Sequence, residues 1–418
     1  MAPDPSLPDS PWHTHPREIA LLRACAVAHS PNGHAARIHA LLNHELDWAV
    51  VQSQARRHGI EAMVHQHIHG DARVPADVRR ALAASSRTTA HFNMHRLHVL
   101  LDLLRRCENA NCRAVPFKGA VLAQRYYGNL AFRRFADLDV LVAPADLPRV
   151  QAILETMGFA SLRTAEGEAE VLNAQMGVEM HRAADQVMVE LHTALLNKTL
   201  SYDLDTASVL RRAPLVSVGG QRIRTMQPND LLLYLCAHGT KHHWARLKWV
   251  ADVAHVLQQH SELDAEALCR RARALHCERV LLLGVHVAAR WLEAPLAPAF
   301  QSAIESDPTV GELARFIETE WLCTDAGLDR TIRWQQVHFF ARTRRRWRDA
   351  WPMWAEYLRR SVEPSAQDRA FADLPRPLTP LYALVRPVRV LRDWWSEQPC
   401  NPEADAAPSC SDTDPVSA

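Results

Sequence analysis

Lysine is nearly missing from this 418-residue chain: only Lys118, Lys198, Lys241 and Lys248 occur among 48 basic residues. Glycine is sparse, 14 in all, and neither sign of charge is in excess, since Lys+Arg 48 against Asp+Glu 47 leaves +1. So even a balance excludes a general electrostatic pull toward nucleic acid or an anionic membrane, and any recognition of phosphate has to be local. The nine cysteines form no CxxC pair and no zinc-ribbon spacing, which leaves reduced thiols of a cytoplasmic protein as the expectation. No run approaches the roughly 18 apolar residues of a membrane span. The amino terminus lacks a cationic region, and the apolar stretch from Ile19 to Ala28 is short and broken by Arg23, so no secretory leader is expected.

What is present suits a globular protein of two or three domains, with 48% hydrophobic residues. Residues 1–15 read as a flexible start. Across 16–112 apolar residues recur at three and four, with Leu97, Leu101 and Leu104 on one stripe, the pattern of a helical domain. Over 113–200 the texture changes to short β-rich runs between turns, which predicts an α+β core with a mixed sheet. There Ala114–Phe117, Asp137–Val142, Val178–His181 and Val187–His192 read as strands, the last two flanking Arg182–Asp185 as a hairpin. Ala120–Tyr127 and Leu147–Met157 read as helices. From Pro228, placed for a first helical turn, a helical domain is expected over 201–360, then a Pro- and Arg-rich strap over 361–398 and a disordered tail over 399–418.

Within the core, Asp137 and Asp139 flank a single apolar residue. Strand side chains alternate, so both carboxylates share a face while Leu138 and Val140 point inward. Either this is an exposed face with solvated acids, or a cation lies between two like charges, and hard oxygen ligands suit Mg²⁺ or Mn²⁺. Two neighbours favour the cation. Upstream, Phe117-Lys118-Gly119-Ala120 forms a strand-to-helix junction where Gly119 permits close backbone approach and unpaired N–H groups face a phosphate. Downstream, Glu190 and His192 share one face of their strand, opposite Val189 and Leu191. A glycine turn, paired acids and a later single acid, in that order, serve nucleotidyl transfer with two metals.

The run from Val115 to Phe159, with Phe117-Lys118-Gly119, Tyr126-Tyr127-Gly128, Arg133 and Asp137-Leu138-Asp139-Val140-Leu141-Val142, resembles a bacterial family of mostly uncharacterised nucleotidyltransferase-fold proteins. The likeness extends more weakly to Glu190-Leu191-His192 and to His238 through Asp252. It implies an α+β nucleotidyltransferase core between two helical domains. It also implies Asp137, Asp139 and Glu190 as catalytic metal ligands and Lys118 and Gly119 on the phosphate side. The implied reaction moves a nucleoside monophosphate, AMP by default, from an NTP to a hydroxyl-type acceptor on a small molecule or peptide; no nucleic-acid partner is expected. One departure stands out: Ala120 follows Gly119 where better-known members carry Ser. That keeps open a nucleotide-binding scaffold without the chemistry, and a metal-dependent phosphohydrolase is the third reading.

Arg133 and Arg134, just ahead of the acids, either hold phosphate or pair with Asp137. His192 is expected to orient the metal acids. A second cluster, His238-Gly239-Thr240-Lys241-His242-His243-Trp244-Ala245-Arg246-Leu247-Lys248-Trp249, follows an apolar helix. Here Lys241, His242 and Arg246 are expected to meet the nucleotide or acceptor, with His238 behind them and Asp252 orienting a basic neighbour. The alternative is a buried Trp-rich helix pair. Near the carboxy terminus, Arg386–Trp395 mixes Arg with aromatic residues and suits either a peripheral membrane or protein partner, or a closing strap.

Overall fold

In the computed structural model, the residues described are 11–28, 34–161, 177–195, 204–321, 334–351, 354, 366–382, 384–386, 388–389 and 392. After a one-turn helix at Pro11–Thr14, five helices follow: α1 (Pro16–Cys25), α2 (His34–Leu41), α3 (Trp48–His58), α4 (Glu61–Ile68) and the 34-residue α5 (Ala76–Asn109). Ends are set locally. The Asp47 side chain accepts the backbone N–H groups of Ala49 and Val50 at the start of α3, and Gly59 closes it at φ 70°.

The sheet comprises β1 (Ala114–Pro116), β2 (Asp137–Val142), β3 (Ala160–Ser161), β4 (Gly177–Arg182) and β5 (Val187–His192), in the order β1-β2-β5-β4-β3. Helix α6 (Gly119–Arg125) follows β1, and α7 (Leu147–Thr156) follows β2. Strands β2 and β5 pair in parallel and the other pairs are antiparallel, so the sheet is mixed and the fold is α+β. The expected β4–β5 hairpin is present, its turn tied by Arg182 to Asp185.

Helix α8 (Thr206–Arg212) then leads into a second hairpin, β6 (Leu215–Val218) and β7 (Gln221–Arg224), inside the stretch expected to be helical. Gly219 and Gly220 at its tip take φ 60° and 76°, the paired left-handed geometry of a tight hairpin turn. A Cβ on Gly219 would lie 3.0 Å from Leu101 and 3.1 Å from Leu97, so the tip rests on α5. Helices α9 (Pro228–Lys241), α10 (Leu247–Gln259), α11 (Ala265–Ala274) and α12 (Glu278–Leu292) follow, then shorter ones to Trp334–Arg342.

Among the described residues, buried apolar side chains form two cores. One joins residues of α1, α3 and α4 to α9, α10 and α12, so helices from before and after the sheet share a single interior. The other lies under the sheet against α5, α6, α7 and the β6–β7 hairpin. Cys25, Cys107, Cys112, Cys236, Cys269 and Cys277 are unbridged and buried in these cores. Among the described residues, no helix is long and apolar enough to cross a membrane.

Residues 1–353 form one compact unit and 354–418 a second. In the second, buried Asp368 receives Arg386 Nη2 and Arg389 Nε at 2.8 Å, and the Tyr382 hydroxyl donates to Ala372 O. The tryptophans at 394 and 395 and the tail over 399–418 lie outside the described residues.

Candidate active site

Leu138 and Val140 are buried at 2% and 0%, which turns Asp137 and Asp139 to the opposite face of β2. On the parallel neighbour β5, Val189 and Leu191 are buried in the same way and Glu190 and His192 face with the acids. The register sets Asp139 beside Glu190 and Asp137 beside Met188. Ligand atoms of Asp139, Glu190 and His192 all lie within 4.8 Å of one another. The convergent trio therefore includes the imidazole expected only to orient the acids, while Asp137 borders it on the same strand face.

One acid on this face was missed from the sequence. Glu179 of β4 stands opposite Glu190 in the antiparallel pair, extending the row Asp139, Glu190, Glu179 across three strands. The signal was available, because Val178-Glu179-Met180-His181 repeats the pattern of Val189-Glu190-Leu191-His192.

Two basic groups meet at Asp139. Lys118 Nζ lies 2.6 Å from Asp139 Oδ1, and His192 Nε2 lies 3.0 Å from the same oxygen and 3.5 Å from Glu190 Oε1. Lys118 is held over the Phe117 and Tyr234 rings, at 5.8 and 5.7 Å from their centroids. Burial pushes the Asp139 carboxyl up, but the Lys118 ammonium and the His192 imidazole outweigh it and hold the group well below the usual carboxylate range. For His192 burial acts downward, yet its bonds to Asp139 and Glu190 prevail and raise it to about 9. Asp137 shows the opposite balance: burial and then the Asp139 charge raise its carboxyl.

Gly119 opens α6 at φ 49°, and an added Cβ would stand 3.3 Å from the Phe135 ring and 3.5 Å from the Asp137 carbonyl. The junction thus lets Lys118 reach across β2. Ala120 is buried at 1%, facing the core.

Arg133 departs from both readings offered for it. It neither pairs with Asp137 nor lies open to a phosphate. Its guanidinium is 5% exposed and makes a two-pronged bond to Asp252, with Nε to Oδ1 at 2.7 Å and Nη2 to Oδ2 at 2.8 Å. The Tyr127 hydroxyl donates to the same Oδ1 at 2.7 Å. The basic partner of Asp252 is thus Arg133.

The segment from His238 to Arg246 divides into core and rim. Gly239, Thr240, His243 and Trp244 are buried, Lys241 and Arg246 are exposed, and His238 and His242 are intermediate. Residues His243 and Trp244 take φ 57° and 54°, which swings the indole back over α9. A Cβ on Gly239 would stand 2.5 Å from that ring, so the glycine is a packing requirement. His242 stacks on Trp249 with ring centroids 4.9 Å apart, and His238 stacks on Tyr234, the ring under Lys118. Burial pushes His242 down to about 3, so at neutral pH it presents an uncharged ring. Burial pushes the Lys241 amine down, with Lys118 acting the same way and the Glu190 and Asp139 carboxylates opposing it. Lys248, in the same basic stretch of sequence but given no role there, has its aliphatic stem against Gly59 and its amine pushed down to about 8 by burial and then by Arg133 and Arg246.

Residues 44–293 match the family model described as "uncharacterised nucleotidyltransferase". Among solved structures, the solution structure of the antibiotic-resistance factor ANT(2'')-Ia is similar, with 14% identity, 44% of this chain and 94% of that chain covered, and a TM-score of 0.31. No curated protein matches.

Proposed function

The chain belongs to the family of uncharacterised nucleotidyltransferases, and from that membership we propose that it moves a nucleoside monophosphate from an NTP to a hydroxyl-type acceptor on a small molecule or peptide. AMP, and hence ATP, is the default on family analogy. The observation that carries the reading is the in-register placement of Asp139 and Glu190 on parallel strands, with Asp137 on the same face. Packing alone gives no reason to crowd acids in this way, since like charges at such separations oppose one another.

The donor set fits a hard divalent cation such as Mg²⁺ or Mn²⁺, because carboxylate oxygens and an imidazole converge without thiolates. Asp137, Asp139 and Glu190 would hold it, and His192 would fix the orientation of Asp139 and Glu190. Bound there, the ion supplies charge to phosphoryl oxygens. Lys118 secures Asp139, and Lys241 and Arg246 at the rim meet the triphosphate, with His242 beside them. In the transfer, the acceptor oxygen bonds to the α-phosphorus while the bond from that phosphorus to the bridging oxygen breaks. Pyrophosphate leaves with the electron pair, and the hydroxyl proton passes to a carboxylate of the cluster.

Buried Ala120 favours a second reading, a protein that binds nucleotide without turnover. One experiment separates the possibilities: each NTP with Mg²⁺ is incubated with metabolite and peptide pools, and mass gain, pyrophosphate and inorganic phosphate are followed. An acceptor gaining a nucleotide mass with matching pyrophosphate is the expected result. NTP binding with neither product supports the second reading, and stoichiometric inorganic phosphate identifies a hydrolase.

A further inference from the structure

We propose that this site works with one divalent cation and not a pair, because Lys118 is a built-in cation standing where the second would bind; the inference rests on the nucleotidyl-transfer reading above. Two ions acting together on one phosphoryl group sit about 3.5–4 Å apart, which demands a carboxylate shared between them. By position that carboxylate is Asp139. It follows Asp137 by two residues on the same strand face and lies in register beside Glu190. It is also buried at 4%.

Asp139 is already committed on one side. Its Oδ1 takes Lys118 Nζ at 2.6 Å and His192 Nε2 at 3.0 Å. A metal at that oxygen would face the ammonium at contact distance, and like charges there repel strongly in a poorly solvated setting. Nor is Lys118 a loose surface side chain that simply swings away. Its side chain is 11% exposed and lies over both the Phe117 and Tyr234 rings. Its backbone sits two residues past the end of β1, immediately before the left-handed Gly119 that packs on Phe135. To leave Asp139 it would give up an ion pair and two ring contacts together. The carboxylates of Asp137 and Glu190, with the other oxygen of Asp139, remain for a single ion. Lys118 therefore takes over the charge-neutralising part of a second metal.

The test counts bound Mn²⁺ per chain by equilibrium dialysis with saturating α,β-methylene ATP, for the wild type, Lys118→Met and Lys118→Arg, with paramagnetic resonance to tell single from spin-coupled manganese. The expected result is one Mn²⁺ per chain in the wild type and in Lys118→Arg, and two, spin-coupled, in Lys118→Met. Two in the wild type overturns the inference and leaves nucleotidyl transfer standing, and one in Lys118→Met does the same. Binding of the analogue with no manganese in any protein refutes the metal-dependent reading itself. Should Lys118→Met fail to fold by circular dichroism, the wild-type count decides alone, a single uncoupled ion supporting the inference and a coupled pair overturning it.

Discussion

Replacing Arg133 by Met isolates the interaction that most clearly distinguishes fold from site. Asp252 is 1% exposed and is held by the Arg133 guanidinium and the Tyr127 hydroxyl. In Arg133→Met the carboxylate keeps one neutral donor in place of a charged, two-pronged one. Removing one partner of a buried pair costs about 3–5 kcal/mol, since the remaining charge is stranded in low dielectric. Exchanging both partners for apolar residues of similar size is close to neutral. Arg133→Met should therefore lose several kcal/mol in urea melts, and Arg133→Met with Asp252→Leu should regain most of that loss. Nucleotide affinity measured by calorimetry below the melting range should be unchanged. The reasoning is refuted by a stability loss under about 1 kcal/mol in the single variant, or by a double variant as unstable as the summed singles. A stable Arg133→Met protein with weakened NTP binding would return Arg133 to the phosphate role its sequence position suggested.

Further outcomes follow from other residues. Gly239→Ala drives a methyl into the Trp244 ring, which is fully buried, and should cost on the order of 1–3 kcal/mol in thermal or urea melts; an unchanged midpoint would show that the indole can move. His58 is buried, its Nδ1 accepts the Leu247 N–H at 3.2 Å, and burial pushes it down to about 3. Its folded pKa lies below the unfolded value, so its contribution is complete above about pH 6.5 and is lost as pH falls toward 3, at up to about 1.4 kcal/mol per unit. Urea midpoints at pH 7 and 5 should fall less steeply in His58→Gln, and equal slopes would contradict this. Lys241→Met and Arg246→Met should each weaken NTP binding roughly tenfold if they meet phosphate, whereas unchanged affinity in the double variant would make the rim a bystander. Asp137→Asn with Asp139→Asn should abolish Mg²⁺-dependent nucleotide binding or turnover with the fold retained; unfolding instead would mark the pair as structural.

The parts of this architecture carried by short periods were legible. Alternation over Asp137–Val142 and Val187–His192 marked the two strands and their acid faces, and Pro228 marked a helix start. What depended on distant partners was not. Nothing local in Arg133 announces a bond to Asp252, 119 positions away, and its place ahead of two acids suggested phosphate or Asp137 instead. The parallel register that joins Asp139 to Glu190 is likewise a property of two strands. The β6–β7 hairpin did carry a local signal, Gly219-Gly220, but alternating Arg222, Ile223 and Arg224 after it bury only one residue. The basic cluster after α9 mixed two roles in one segment, since Trp244 folds back on Gly239 while Lys241 and Arg246 stay outside.

The pairing of β2 with β5 also governs when the protein becomes competent. Asp139 and His192 are 53 residues apart in the chain, and α7, β3 and β4 lie between them. During synthesis β2 emerges long before its parallel neighbour, and contacts of such separation close late because loop-closure entropy is met first. Once the strands meet, Leu138, Val140, Val189 and Leu191 decide the alignment, because a slip of one residue would turn these side chains outward and the acids into the core. The polar cluster is thus proofread by the apolar residues behind it. A conservative change among those four, touching no charged atom, can slow or misalign maturation and so appear as a loss of activity whose origin is kinetic.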